Sequence, residues 1–307
     1  MNKFFGKHKP FATIALLLPL ILTGCMVSNN AIRSDFNDFN TILHYNQTQQ
    51  ILLNLVRIHF RESTMFLQAS SLTASYESSG GANIGAIIEA PASGSAGADY
   101  HFASKPTVSY TPVEGRNYVQ QFLTEISAET FASLIRSGWP VEELTNLLLE
   151  NVHLEDGSVI INSRKSGDEP EFEAFSKKLH EAQKRNRLTV FSKNGEMVLK
   201  YDEHELPLSS FQFRSLGDIM YAASKNTQTP RSQESRIKKE RPNGELTIRA
   251  SNMPPKNSLV SVKYSGHYYS IANDDVQSKD TLALLMQLYR IQSAPAGAQP
   301  VLTIPAR

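Results

Sequence analysis

The sequence predicts an α+β fold, with a long N-terminal helix, mixed and mostly antiparallel strands, and helices packed on them in two loosely defined halves. Three observations support this prediction. Apolar residues recur at helical spacing between Asp35 and Arg61, whereas from Met65 they alternate with polar residues at a period of two. Further along, Asn194-Gly195 lies between two short apolar runs, which is the strongest short-range sign of a β-hairpin.

The chain begins with the features of a bacterial secretory signal. Basic residues precede an apolar run over 11–22, and small residues separate this run from Cys25, the only cysteine. Twelve apolar residues are too few for a membrane-spanning helix, which needs about 20. Leu22-Thr23-Gly24-Cys25 resembles the lipobox of bacterial lipoproteins, in which the cysteine is lipidated and becomes the mature N-terminus. We therefore predict a signal peptide over 1–24 and a tether over 25–34 that is attached to membrane lipid through acylated Cys25.

The same resemblance bears on location. The second residue of the mature protein would be Met26 and not the aspartate that typically retains lipoproteins at the inner membrane of enteric-like bacteria. We therefore expect a lipid-anchored protein at the outer membrane of a Gram-negative cell, facing the periplasm.

Composition narrows the possible partners. Removal of residues 1–24 would leave 283 residues with 28 basic and 30 acidic side chains, a net charge of −2. A general nucleic-acid surface would require a basic excess, so we expect no nucleic-acid partner. After lipidation of Cys25 no thiol would remain for a disulfide, and stability would have to come from burial. No sequence pattern calls for a cofactor or a metal.

The N-terminal half is predicted over 35–155. After the long helix, strands are expected around Leu72–Tyr76 and over 107–111, followed by helices that begin near Ser127 and Pro140. Between the strands, the segment 77–99 contains 15 Gly, Ala or Ser among its 23 residues, a composition that builds no core. Three structures stay open for it: a surface loop, a hairpin used in subunit contacts, and a membrane-inserting hairpin with strands of about 10 residues.

The C-terminal half is predicted over 156–306. Its central feature is a polar and basic stretch over 225–245, which we interpret as an exposed linker, with contact to anionic lipid or glycan as the alternative. The other predicted elements are a strand over 158–162, a helix that starts at Asp168 and Pro170, the hairpin 188–192 with 197–201, a helix over 215–224, strands over 246–250, 259–264 and 267–271, a helix from Ser278, and a strand over 301–304.

Several sequence blocks together resemble a family of uncharacterised Gram-negative envelope lipoproteins. They are Tyr45-Asn46-Gln47 through Leu52-Leu53-Asn54-Leu55-Val56-Arg57, Pro106-Thr107-Val108-Ser109-Tyr110-Thr111-Pro112, Ser137-Gly138-Trp139-Pro140, Phe213-Arg214-Ser215, Tyr268-Tyr269-Ser270-Ile271 and Ser278-Lys279-Asp280-Thr281. That family also tends to carry a Gly/Ala/Ser-rich insert before its Pro-Thr-x-Ser-Tyr-Thr-Pro block. The resemblance implies a lipid-anchored envelope protein and transfers no catalytic residue.

Patterns that suggest chemistry have simpler explanations. Ser235 and Lys238 match Ser-x-x-Lys but lie in the basic stretch, without the partner block that penicillin-recognising enzymes use. His204-Glu205 starts like a zinc-binding helix, yet Pro207 interrupts it and the second ligand would be Leu208. We therefore interpret the acidic cluster 202–205 as a solvated loop, with a weak cation site as the alternative.

Two further candidates are also better explained by structure. Asp274-Asp275 would point in opposite directions in an extended segment, so we expect them in the turn before the last helix and not as a carboxylate pair. Trp139 follows a helix-ending glycine and is expected to be a core or half-buried anchor, with a ligand platform as the alternative.

The sequence thus favours a non-catalytic, lipid-anchored envelope protein that scaffolds or assembles, with envelope proteins or copies of itself as partners. One alternative is an envelope enzyme acting on glycan or peptide. The other is a subunit of an oligomeric export or pore assembly.

We predict that a fatty-acid analogue supplied to growing cells labels the wild-type protein and not Cys25→Ser. Each buried CH₂ of an acyl chain contributes about 0.8 kcal/mol, so lipidation would also hold the protein in the membrane fraction. Equal labelling of the two proteins would contradict the prediction.

Overall fold

A computed structural model describes residues 37, 39–83, 97–154, 156–162, 170–237, 246–293 and 301–303. The predicted α+β fold is confirmed, with helices and mostly antiparallel sheets. The helices are α1 (39–59), α2 (Gly115–Tyr118), α3 (Ala128–Arg136), α4 (Val141–Leu148), α5 (Pro170–Lys184), α6 (Leu216–Ser224) and α7 (Val276–Gln292), with a π-helical turn at Val119–Leu123 after α2.

The strands form four three-stranded sheets within the described residues. They are β1 (Leu67–Asn83), β2 (Gly97–Pro112), β3 (Leu149–His153), β4 (Val159–Ile161), β5 (Leu188–Lys193), β6 (Glu196–Tyr201), β7 (His204–Pro207), β8 (Phe211–Phe213), β9 (Arg249–Ser251), β10 (Ser258–Tyr264), β11 (His267–Ala272) and β12 (Val301–Thr303). The sheet orders are β12-β1-β2, β4-β3-β8, β5-β6-β7 and β10-β11-β9.

The chain divides into two units. The first comprises the described residues within Met1–Asn46, Ala69–Ser109 and Pro300–Arg307, and the second those within Gln47–Gln68 and Tyr110–Gln299. The second unit holds a continuous hydrophobic core that includes Leu52 and Leu55 of α1, Leu144 of α4 and Leu288 of α7, all fully buried. Residues from both predicted halves, 35–155 and 156–306, share this core.

Local sequence signals set the ends of several elements. The Ser127 hydroxyl accepts the Thr130 amide at the start of α3, and Ser215 forms a capping box with Asp218 at the start of α6. Asn194 and Gly195 adopt φ values of 56° and 86°, as the tight turn of the β5–β6 hairpin requires, so that prediction is confirmed.

In the C-terminal half, the last helix and the strand before β10 begin at other residues than predicted. The last helix was expected from Ser278 but begins at Val276, because Asp275 is its cap and accepts the Ser278 amide at 3.1 Å. The strand expected over 246–250 is instead β9, Arg249–Ser251. Its predicted first residues form an isolated bridge in which Ile248 lies beside Thr227.

The start of β1 is held by two amide side chains of α1. Gln50 donates to the Leu67 carbonyl at 3.0 Å and accepts the Leu67 amide at 2.7 Å. One helical turn later, Asn54 donates to the Met65 carbonyl at 2.8 Å and accepts the Met65 amide at 2.9 Å. Each side-chain amide therefore satisfies both backbone groups of one residue, as a neighbouring strand would.

The neighbouring polar residues of α1 also form specific contacts. Gln49 donates to the Ser261 carbonyl of β10 at 2.9 Å, and Gln47 accepts from Arg290 of α7 at 3.1 Å. Thr48 is buried and donates to the Met286 sulfur at 3.3 Å. The Gln-rich stretch over 46–50 thus connects α1 to β1, β10 and α7.

We predict that Asn54→Ala lowers the free energy of unfolding by about 3 kcal/mol, because it removes both hydrogen bonds to the Met65 backbone and empties the space of a fully buried side chain. Urea denaturation measures this loss. The matched control is Asn40→Ala, an exposed asparagine of the same helix, which should change stability by less than about 0.5 kcal/mol. Equal effects of the two substitutions would contradict the prediction.

Candidate functional site

The candidate site is the long hairpin formed by β1 and β2. Its strands have 17 and 16 residues, whereas strands of globular proteins usually have about 5 or 6. The Phe66 carbonyl accepts the Val113 amide at 2.9 Å, and the Ser109 carbonyl accepts the Ser70 hydroxyl at 3.2 Å. Partner numbers fall on one strand as they rise on the other, so the strands are antiparallel and partner numbers add to 179.

The ends of the strands agree with this register. It places residue 82 of β1 opposite Gly97, the first residue of β2, and β1 ends at Asn83. A register that adds to 179 throughout would therefore pair the two strands up to their ends. Strand structure extends over 77–83 and 97–99, so these parts of the Gly/Ala/Ser-rich segment are not the loop that was one expectation for them. Residues 84–96 lie outside the described residues.

The hairpin has two different faces where it leaves the second unit. Phe66 and its partner Val113 share one face and are buried. Alternation places Leu67 and Tyr110 on the opposite face, where they are 39% and 41% exposed, next to Met65 at 54%. Exposed apolar side chains together on one sheet face mark a surface suited to contact with another molecule.

Pro106 and Pro112 of β2 are directed to the side of the strand that faces away from β1. The Val113 amide points to β1, so alternation directs the even-numbered residues, Pro106 and Pro112 among them, away from β1. Proline lacks an amide hydrogen, and within sheets it occurs on the solvent side of edge strands. This position explains why β2 continues through Pro106, whereas the expected strand was confined to 107–111.

A second cluster, within the second unit, joins the basic stretch to α1, to the turn after it and to the β10–β11 turn. Arg236 donates to the Glu62 carboxylate at 2.6 Å and to the Ser265 hydroxyl at 3.0 Å. Its guanidinium carbon lies 5.0 Å from the centre of the Phe60 ring, a cation–π arrangement. Nearby, buried Gln233 donates to the Ser265 carbonyl at 3.0 Å.

This cluster corrects the interpretation of 225–245 as an exposed linker, at least for the described part, 225–237. Thr227 and Gln233 are buried, and Ile237 packs on the core. Arg236, one of the basic residues of this stretch, forms a salt bridge with Glu62 and packs on the ring of Phe60. Residues 238–245, which include Lys238 of the Ser-x-x-Lys match, lie outside the described residues, and Ser235 is exposed.

Tyr269 lies at the centre of the cluster. It is fully buried, its ring contacts Phe60 and Tyr264 edge-on, and its hydroxyl donates to Gln233 at 3.1 Å. Burial, with a smaller contribution from Tyr264, raises the pKa of Tyr269 to about 12. The neutral hydroxyl is therefore part of the packing.

The remaining candidates fall in structural roles. Trp139 is half-buried against the core and donates to Gln287 at 3.0 Å, which confirms the expected anchor. Asp274 lies in a turn and Asp275 caps α7, as expected. The acidic cluster is only partly a loop, since Asp202 and Glu203 form a turn whereas His204 and Glu205 begin β7.

Glu205 illustrates what the acidic cluster does. Its carboxylate accepts from Lys193 at 2.6 Å and lies 3.9 Å from Lys200. The hydrogen bond from Lys193 lowers the pKa of Glu205. The carboxylate is thus paired across the β5–β6–β7 sheet. No group of three His, Cys, Asp or Glu residues in the described ranges is arranged to hold a metal ion.

The arrangement closest to a catalytic set in the described residues joins α4 and α5. The His180 Nε2 atom lies 3.7 Å from the Glu142 carboxylate, and Ser176 precedes His180 by one helical turn. Ser176 is 1% exposed, however, and its hydroxyl lies 2.6 Å from the Thr145 hydroxyl. A serine in this position does not reach a glycan or a peptide, so the contact is a buried polar link between two helices.

No family model, curated protein or solved structure matches this chain. Within the part of the chain that the structure describes, no helix has the length and apolar character to cross a membrane. Cys25, the predicted lipid-attachment residue, lies outside the described residues. The functional proposal therefore depends on the sequence around Cys25 and on the geometry of the long hairpin.

We predict a pH dependence for Tyr269. Its stabilising contribution is complete below the unfolded pKa of about 10 and is lost as the pH rises towards 12, because only the unfolded state then releases the proton. Between pH 8 and 11 wild-type protein should lose about 1.4 kcal/mol more stability than Tyr269→Phe. Urea denaturation at both pH values measures the difference. The matched control, Tyr268→Phe, should keep the wild-type loss.

Proposed function

We propose that this protein is a lipid-anchored component of the Gram-negative cell envelope with a non-catalytic scaffolding or assembly role, and that the long hairpin is its contact element. The observation that carries this proposal is the hairpin itself, with strands of 17 and 16 residues and exposed Leu67 and Tyr110 at its base. The lipobox-like sequence at Cys25 supports the anchor, and Met26 after it supports the outer membrane.

The described ends of the hairpin support the role in assembly. The core cluster has no member between Phe66 and Val113 among the residues whose burial is described, 67–70 and 107–112. These positions lie outside the core, which makes them candidates for contact with other molecules. The resemblance to envelope lipoproteins is consistent with this role and supplies no partner.

A second candidate function is a subunit of an oligomeric export or pore assembly. Strand length favours it, because a transmembrane β-strand needs only about 9–11 residues and both strands exceed that. The third possibility, an envelope enzyme, has no residues with a catalytic geometry to support it in the described part of the chain.

We predict that deletion of residues 78–98, with a short Gly/Ser turn in their place, abolishes association while the second unit stays folded. The unfolding free energy should change by less than about 1 kcal/mol, since loop length costs only about 0.6 kcal/mol per doubling. Crosslinking and pull-down from intact cells test association, and urea denaturation tests the fold.

The control replaces Met253–Lys256, in the exposed β9–β10 loop, by a Gly/Ser turn. This variant should keep all the partners of the wild-type protein. Partners retained without 78–98 would contradict the assembly role. Co-fractionation with inner-membrane markers would separately contradict the proposed location.

A further inference from the structure

The sheet β10-β11-β9, which lies within the second unit, has a core face and an outer face. Residues opposite each other in the register share a face, and the opposite pair Val262 and Tyr269 is buried in the core. Alternation therefore places Lys263, Tyr268 and, on β9, Arg249 on the outer face. The Lys263 ammonium lies 5.6 Å from the centre of the Tyr268 ring, as expected for two side chains on one face.

The loop between β9 and β10 crosses this outer face. Both strands pair with β11 and run antiparallel to it, so they are parallel to each other and their connection has to cross β11 on one side of the sheet. Residues 252–257 form this connection, and the core face is filled by buried side chains. The loop therefore passes over the outer face, which agrees with the low exposure of Ser270 there, 6%.

The outer side of this sheet carries a concentrated positive charge. Arg249, Lys263 and, in the loop, Lys256 are all exposed. No acidic residue occurs over 246–273, so with histidine neutral this segment has a net charge of +3, whereas the chain after residue 24 has a net charge of −2. A local excess of this kind attracts anions even though the protein as a whole is nearly neutral.

An exposed apolar side chain lies in the same loop. Met253 is 73% exposed, the largest value among the large apolar side chains of the described residues. Pro254 and Pro255 follow it and restrict the backbone on its C-terminal side. A projecting apolar side chain flanked by cations is suited to the boundary of a bilayer. There the methionine enters the acyl region while lysine and arginine stay at anionic headgroups.

The combination of charge and apolar surface selects one occupant. A symmetric contact with a second copy of the chain would bring two positive segments together, and like charges repel. An anionic glycan would use the cations but would leave Met253 in water. An anionic bilayer uses both.

We propose that Met253, with the cations Arg249, Lys256 and Lys263, docks on the surface of a bilayer that contains anionic phospholipids. The contact is separate from the long hairpin and does not require the proposed assembly role. In a protein anchored through Cys25 it is a second point of attachment, and it turns the outer face of the β10-β11-β9 sheet towards the membrane.

A fluorescent probe at position 253 tests the proposal. Full-length lipidated protein with Met253→Cys is labelled with a thiol-reactive dye and reconstituted in phosphatidylcholine vesicles with or without phosphatidylglycerol. Lipids with a nitroxide on the acyl chain should quench the dye only in vesicles that contain phosphatidylglycerol. The matched control, Val276→Cys, is 66% exposed in the same unit and should show no quenching in either. Wild-type protein treated with the same dye gives the background from Cys25.

Charge variants test what holds the loop at the membrane. The ratio of docked to undocked molecules, measured from the quenching at position 253, should fall about fivefold for Lys256→Gln, about fivefold for Lys263→Gln and about 25-fold for both. The matched control is Lys178→Gln with Lys184→Gln, which removes two exposed cations of α5 and should leave the quenching unchanged.

Three results would overturn the inference: no quenching at position 253 in vesicles that contain phosphatidylglycerol, equal quenching with and without this lipid, and an equal loss of quenching in the α5 control. Pull-down from intact cells with the same variants reports on protein partners. A protein that is quenched at position 253 but captures no partner would contradict the proposed assembly role alone, and an unquenched protein that keeps its partners would refute the lipid contact alone.

Discussion

The structure depends on one constraint, that the backbone groups along the edge of β1 need hydrogen-bond partners where the strand leaves the core. Helix α1 meets this need with Gln50 and Asn54, which occur four residues apart and therefore lie on one helix face. Residues two apart in a strand direct their backbone groups to the same side, so this spacing matches Met65 and Leu67. The match fixes which side of β1 faces the helix. It thereby also fixes that Phe66 is directed to β2 and that its side chain enters the core.

The same alternation determines the rest of the hairpin. Once Phe66 is opposite Val113, Pro112 and Pro106 lie one and seven residues before Val113, and these odd numbers direct both prolines away from β1. A shift of one residue would direct Pro106 and Pro112 towards β1, where each would remove a hydrogen bond of the ladder. The prolines therefore exclude a slip of one residue, and they reinforce the alternation that the amide side chains of α1 select.

Much of the fold was predictable because its signals are local. The turn at Asn194-Gly195, the cap at Ser215 and the periodicity of α1 each depend on residues close together in the chain. The contacts of Gln47 to Gln50 were not predictable in this way, because their partners lie up to 243 positions away. Arg236 was missed for the same reason, since its basic surroundings in the sequence do not indicate Glu62 and Phe60. A spacing of four between amide side chains, and of six between edge prolines, were the available signals.

The long-range bonds that stabilise the second unit start from α1, whereas the association that we propose uses the long hairpin. The polar side chains of α1 are used within the second unit, where each long-range bond joins the helix to a particular strand or to α7. The hairpin beyond Thr73 has no such contacts from α1 or β12 in the described residues, and seven of the ten residues over 74–83 are Gly, Ala or Ser. Small residues favour close approach of neighbouring backbones but bury too little apolar surface to hold a strand in place alone. A strand pair of this composition gains most from backbone hydrogen bonds. Such an element is suited to join molecules already concentrated by a common anchor, because confinement to a membrane surface lowers the entropy that each added contact has to overcome.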